Sequence, residues 1–167
     1  FKVRNNILAN STAAQSGSAK HYCWITTSTT AIGATGSVSN YNDLYVANTN
    51  GFVGLANTTD KTAVTDWQGV ASNDANTINT NPTFTSSTDL HVSAAALNGT
   101  ADPSYATNTA WATLDIDCAT RPSATDIGAD EFTPPACVAP TISSVTPSST
   151  SASVAFTCTS CSPGNAY

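Results

Sequence analysis

Asn5-Asn6-Ile7, Asn40-Tyr41-Asn42 and Asn79-Thr80-Asn81 are the three stretches whose reading decides the fold. Asn tolerates left-handed backbone angles, so an Asn-led step between apolar runs reads as a corner where one extended segment gives way to another. Around these steps lie short β-branched and aromatic clusters separated by Asn, Gly, Ser and Thr. They predict strands over residues 1–9, 21–27, 38–47, 52–55, 62–70, 77–84 and 89–92. Val3, Ile7, Tyr22, Trp24, Leu44, Val46, Ile78, Phe84, Leu90 and Val92 are the expected inward positions. No stretch sustains a helical apolar stripe. Residues 94–97 form helix best, and Gly99 and Pro103 limit them to a turn or two.

Composition points the same way. Thr (28), Ser (20) and Asn (15) supply 63 of 167 residues, and only 10% are charged, which excludes most helix-rich folds. Five Lys and Arg against 11 Asp and Glu lack the basic footprint that phosphate neutralisation demands, so nucleic acid and anionic membrane surfaces are not expected partners. No run approaches the ~20 apolar residues of a membrane span. Phe1 opens directly into a strand-like pattern, from which an amino terminus cut from a longer precursor is expected. A two-sheet sandwich should show clean alternation and hairpin turns, yet only Asn50-Gly51 and Asn98-Gly99 match. A right-handed parallel β-helix, or β-solenoid, fits better: short strands stacked coil upon coil, Asn and Gly at the corners, Thr, Ser and Asn outside.

Phe1-Lys-Val-Arg-Asn-Asn-Ile-Leu8 resembles a coil of the right-handed parallel β-helix repeats of large bacterial surface proteins. Ser39-Asn-Tyr-Asn-Asp-Leu-Tyr45, Thr65-Asp-Trp-Gln68 and Asn81-Pro-Thr-Phe84 leading to Asp89-Leu-His-Val92 are similar to that family's terminal coils. Asp115-Ile-Asp117, Arg121-Pro122 and Asp126-Ile-Gly-Ala-Asp-Glu-Phe132 resemble its closing motif. The family carries Gly or Asn after the second Asp of that motif, where this chain has Cys118. The resemblance covers residues 1–132 and implies an all-β solenoid closed by a carboxyl-terminal cap.

After Phe132, the Pro-rich stretch 133–138 reads as a linker. Residues 139–167 resemble the first strands of a fibronectin type III-like domain, an incomplete β-sandwich, since such domains need ~100 residues. In the resembling proteins this arrangement belongs to long multidomain extracellular chains, often exported by the type IX route. Five cysteines and no Met suit an oxidising compartment, with Cys137, Cys158 and Cys161 the disulfide candidates and connectivity open. Cys158-Thr-Ser-Cys161 has the spacing of half a zinc site or a redox pair, but no second ligand pair accompanies it. Sequons at Asn10, Asn57 and Asn98 are unremarkable in so Asn- and Thr-rich a chain.

The acid-rich cluster Asp115, Asp117, Asp126, Asp130 and Glu131 with Arg121 is the main candidate for chemistry. Paired carboxylates serve as acid and base in polysaccharide lyases and hydrolases, and Asp115, Asp117 and Asp126 are candidate ligands of a structural Ca²⁺, the one cofactor entertained. The preferred reading makes Asp117, Arg121, Asp126, Asp130 and Glu131 a structural cap, with Arg121 paired to Asp117 or Asp126 and no catalytic residue assigned. His91, flanked by Leu90 and Val92, reads as a satisfied strand residue. Trp67, Trp111 and Tyr105 are candidates for stacking on glycans. The expectation is a non-enzymatic spacer or adhesin segment of a bacterial cell-surface protein, its partners the neighbouring domains of the same chain, glycans or surface proteins. The alternative is the carboxyl-terminal part of a lyase or glycoside hydrolase whose catalytic coils lie upstream.

Overall fold

The structure, a computed structural model, describes residues 2–12, 19–29, 36–47, 49–70, 73–104, 113–134 and 141–157. The chain divides into two units, Phe1–Thr133 and Pro134–Tyr167. In the first, β1 (Lys2–Arg4), β2 (Ile7–Asn10) and β3 (His21–Thr26) are followed by β4 (Val38–Asn40), β5 (Asp43–Val46), β6 (Gly51–Ala56) and β7 (Thr59–Lys61). A short helix α1 (Val64–Gln68) and a 3₁₀ turn at Ala95–Leu97 follow. The second unit contains β8 (Thr141–Pro147) and β9 (Ala152–Thr157).

The expected right-handed parallel β-helix is not what forms. Strands β1 and β4, β2 and β5, and β3 and β6 pair in parallel, but among the described residues these sheets hold only two, two and three strands. A solenoid requires each sheet to run on through successive coils. Here β6 turns back through Asn57, at φ +55°, into antiparallel β7, and among the described residues β5 gains beyond β2 only a single bridge, Asp43 to Ile78. Segment 62–70, expected as a strand for its Thr and Val content, is helical between Val64 and Gln68. The Asp66 carboxylate accepts the Ala63 amide at 3.1 Å, and Trp67 is drawn into the core. Segments 77–84 and 89–92 form no strand beyond the Ile78 bridge, and Leu90 faces solvent. The incomplete sandwich is also corrected: β8 and β9 make one antiparallel hairpin, its turn held by the Ser148 hydroxyl donating to the Ser151 carbonyl at 2.9 Å.

The corners follow the Asn signal in part. Asn5 and Tyr41 adopt φ +59° and +55°, and the Asn5 amide donates to the Tyr41 carbonyl at 3.0 Å, so the first two corners are in register. Near the third, Thr83 rather than an Asn is left-handed. Asn42 is wholly buried. Its Oδ1 accepts the Asn6 amide at 3.0 Å and its Nδ2 donates to the Val3 carbonyl at 3.0 Å, stitching the β1–β2 corner onto the β4–β5 corner.

Two apolar clusters fill the first unit. Leu44, Val53, Ala56, Trp67 and Val70 form one, with Leu8, Cys23 and Trp24 against it. Val92, Leu97, Ala101 and Ile127 form the other, flanked by Ile7, Ile78, Phe84 and Phe132. In the first cluster Trp67 lies across Gly54 so closely that a Cβ there would sit 2.2 Å from Cζ3. Because Trp67 is buried on every side, Gly54→Ala is expected to cost about 3 kcal/mol, read as a lowered urea midpoint.

Asp43, at the start of β5, is fully buried. Its Oδ1 accepts the Thr80 amide at 2.8 Å, and its Oδ2 has no hydrogen-bond partner. Burial pushes this carboxyl up to about 7, against the single opposing bond from Thr80. A folded value above the unfolded one stabilises fully below about pH 4 and loses that contribution as pH rises through about 7. Subtracting the pH–stability curve of Asp43→Asn from that of the wild type should therefore leave a fall on the order of 4 kcal/mol between those limits. A flat difference would show that the group is not protonated in the fold.

Candidate functional site

The closing segment is held together by its own carboxylates. Asp115 Oδ1 accepts the amides of Asp117 at 2.9 Å and Ala119 at 2.8 Å, closing a turn in which Cys118 takes φ +65°. Cys118 thus occupies a left-handed position at the place where the resembled motif carries Gly or Asn. Asp126 is buried, with Oδ1 accepting the Gly99 amide at 2.6 Å and Oδ2 the Phe132 amide at 2.8 Å. Buried Asp130 accepts the Val92 amide through Oδ2 at 3.0 Å. Glu131 Oε1 accepts the Asp126 amide at 3.1 Å and pairs with Arg121 Nη1 at 2.5 Å.

Arg121 therefore pairs with Glu131, not with Asp117 or Asp126 as the sequence suggested. Both oxygens of Asp126 already accept amides, and Asp117 lies elsewhere, exposed. The guanidinium also donates to the Gly128 carbonyl at 3.0 Å. Burial raises the Glu131 carboxyl above its ordinary range despite Arg121. The candidate Ca²⁺ set of Asp115, Asp117 and Asp126 is not brought together. Among the described residues, the one group whose ligand atoms lie within 4.8 Å of one another is His91, Asp117 and Asp130.

His91 is the residue that sequence reasoning undervalued. It sits in no strand. Its Nδ1 meets Asp89 Oδ1 at 2.5 Å and its Nε2 meets Asp117 Oδ2 at 3.0 Å. Asp89 and then Asp117 hold the imidazolium, raising its pKa to about 9. Asp89-Leu90-His91 carried a legible signal, since residues two apart in an extended segment share a face. The approach of Asp117, 26 positions on, carried none.

Of the glycan-stacking candidates, Trp67 is corrected: it is 1% exposed and its Nε1 donates to Asp74 at 3.1 Å, so no sugar reaches it. Tyr105 and Trp111 lie outside the described residues, as do Cys137, Cys158 and Cys161. Cys23 and Cys118 are free thiols. Burial pushes Cys23 up to about 12, and its Sγ donates to the Tyr45 carbonyl at 2.9 Å, which makes it inert. Beside it a groove of about 360 Å³ runs along Leu8, Asn10, Thr12 and Tyr22. Tyr22 stacks on Phe52 with ring centres 5.6 Å apart and donates its hydroxyl to Asp60 at 2.8 Å, while Lys20 pairs with the same carboxylate. No helix among the described residues is long and apolar enough to cross a membrane.

The side chains of Arg121 and Glu131 are only 12% and 10% exposed, so truncating the cation strands a nearly buried carboxylate. Arg121→Met is expected to lower unfolding stability by about 3 kcal/mol. Arg121→Met with Glu131→Gln should recover much of that loss in a double-mutant cycle.

No family model, no curated protein and no solved structure matches this chain.

Proposed function

We propose that this chain is a non-catalytic segment of a bacterial extracellular or cell-surface protein, one that spaces neighbouring domains of the same chain and makes weak contacts with glycans or surface proteins. One observation carries the reading: the acids that looked like a catalytic group are engaged in holding the backbone. Asp115, Asp126, Asp130 and Glu131 all accept main-chain amides, and Arg121 neutralises Glu131. A general acid or base must be able to give and take a proton beside a substrate, whereas a carboxylate that accepts main-chain amides is held in one orientation against the backbone.

The surface chemistry supports the same reading. Thr, Ser and Asn dominate a chain with a formal charge of −6 and little positive charge, a composition that favours neutral hydrogen-bonding ligands over polyanions. The groove is lined by Asn10, Thr12 and Tyr22, side chains of the polar and aromatic kinds that meet the polar edges and apolar faces of sugars. Such contacts are weak singly and gain by avidity when many copies are displayed.

The protein is to be incubated with acidic and neutral polysaccharides, with and without Ca²⁺. Neither unsaturated nor reducing ends should accumulate, while protein arrayed on beads should retain neutral glycans at least about 100-fold better than the free chain does. New chain ends that disappear in Asp117→Ala, a substitution at an exposed side chain, would replace the spacer reading with that of a lyase or hydrolase segment.

A further inference from the structure

We propose that His91, Asp117 and Asp130 form a binding site for a divalent transition-metal cation of the zinc class, with Asp89 as the residue that orients the imidazole. The three ligands come from separate parts of the chain, and one ligand atom from each lies within 4.8 Å of the others. Nothing in the local sequence creates this meeting. It exists because the closing segment folds back over residues 89–92, where Asp130 grips the Val92 amide at 3.0 Å.

Three features single this cluster out from the other acids of the closing segment. First, Asp89 occupies Nδ1 of His91 at 2.5 Å, which leaves Nε2 facing Asp117 at 3.0 Å. A carboxylate behind the imidazole is the usual device by which a metal-binding histidine is fixed in tautomer and direction. Second, the ligands divide the work. Asp130, 4% exposed, is anchored by the Val92 amide, whereas the Asp117 side chain is 61% exposed and leaves a path for a hydrated ion to enter. Third, three carboxylates (Asp89, Asp117, Asp130) converge on a single imidazole, one behind its Nδ1 and two beside its Nε2.

The donor set decides the class of ion. Ca²⁺ takes six to eight oxygen ligands and Mg²⁺ keeps most of its water, so neither gains from an imidazole. One imidazole nitrogen and two carboxylate oxygens suit Zn²⁺ and its neighbours, with a fourth position left to water. Around a tetrahedral zinc, ligand atoms stand about 3.4 Å apart, so the 3.0 Å contact between Asp117 and Nε2 opens slightly as the ion enters, while the spacings to Asp130, which lie within 4.8 Å, settle toward that value.

The chain has two histidines, so His91 and His21 can be followed separately by NMR of their ring resonances in the whole chain. Titration with Zn²⁺ should shift His91 to saturation at one equivalent and leave His21 in place. Asp117→Asn, with an unfolding curve matching the wild type, should weaken that response at least about tenfold, and Asp89→Asn should weaken it while preserving the stoichiometry. The proposal fails if the His91 ring does not move at high zinc excess, including when zinc is taken up by thiols alone. It fails equally if Asp117→Asn responds like the wild type, or if Ca²⁺ produces the same shift at the same concentration.

Discussion

The buried carboxylate of Asp74 is the constraint around which the first unit is arranged. It is 1% exposed, and it accepts the Ser39 hydroxyl at 2.8 Å, the Thr77 hydroxyl at 2.6 Å and the Trp67 indole at 3.1 Å. Those donors belong to β4, to the segment that bridges onto β5, and to α1. A buried polar group left without hydrogen bonds is costly, so these elements are obliged to converge on it. Convergence places Trp67 over Gly54, with Trp24 beside it at a ring separation of 5.7 Å, and that completes the larger apolar cluster. Asn42, buried next to the same network and within 3.4 Å of the Ser39 hydroxyl, extends it to the β1–β2 corner.

In a chain with so few charges, most of the carboxylates hold backbone amides or pair with a cation. Asp126 and Asp130 reach back to the amides of Gly99 and Val92 and bind the closing segment to residues 92–99. At the amino-terminal corner the Asn5 carbonyl accepts the Gly128 amide at 3.0 Å, and Asn5 Oδ1 accepts the Asp102 amide at 2.8 Å. Arg4 pairs with Asp102 at the same corner. Gly128 adopts φ +114°, and a Cβ there would lie 2.7 Å from Ile7 Cδ1, so the closing segment rests directly on the first strands. Amide-saturated carboxylates thus do for these irregular segments what ladder hydrogen bonds do for a sheet.

The same economy separates the His91 cluster from its neighbours. Asp115, Asp126 and Asp130 hold backbone, but Asp117 reaches out to a ring nitrogen on another segment. The proposed cation site and the proposed spacer role are compatible, since an ion clasping residues 91, 117 and 130 would fasten the irregular end of a module with few ladder bonds of its own. Asp43 is the opposite case, a carboxyl pushed up to about 7 by burial because only one amide reaches it.

The sequence by itself determined the strand-rich class, the Asn-led corners at residues 5 and 41, the short turn at 95–97 and the carboxylate-rich character of the closing segment. These are local properties: backbone tolerance of Asn, β-branched clusters, and Asp side chains that bond amides two to four residues away. Tertiary structure alone decided whether coils continue, because strand pairing depends on which segments meet, and segment 62–70, read as a strand, is helical over Val64–Gln68, where Trp67 is bonded to Asp74 in the core. It also chose Glu131 over Asp117 and Asp126 as the partner of Arg121, and it brought Asp117 to His91. Long-range pairing leaves no periodic mark in a sequence. Where Thr, Ser and Asn are everywhere, hydrophobic alternation is too weak to say which short strand will find which neighbour.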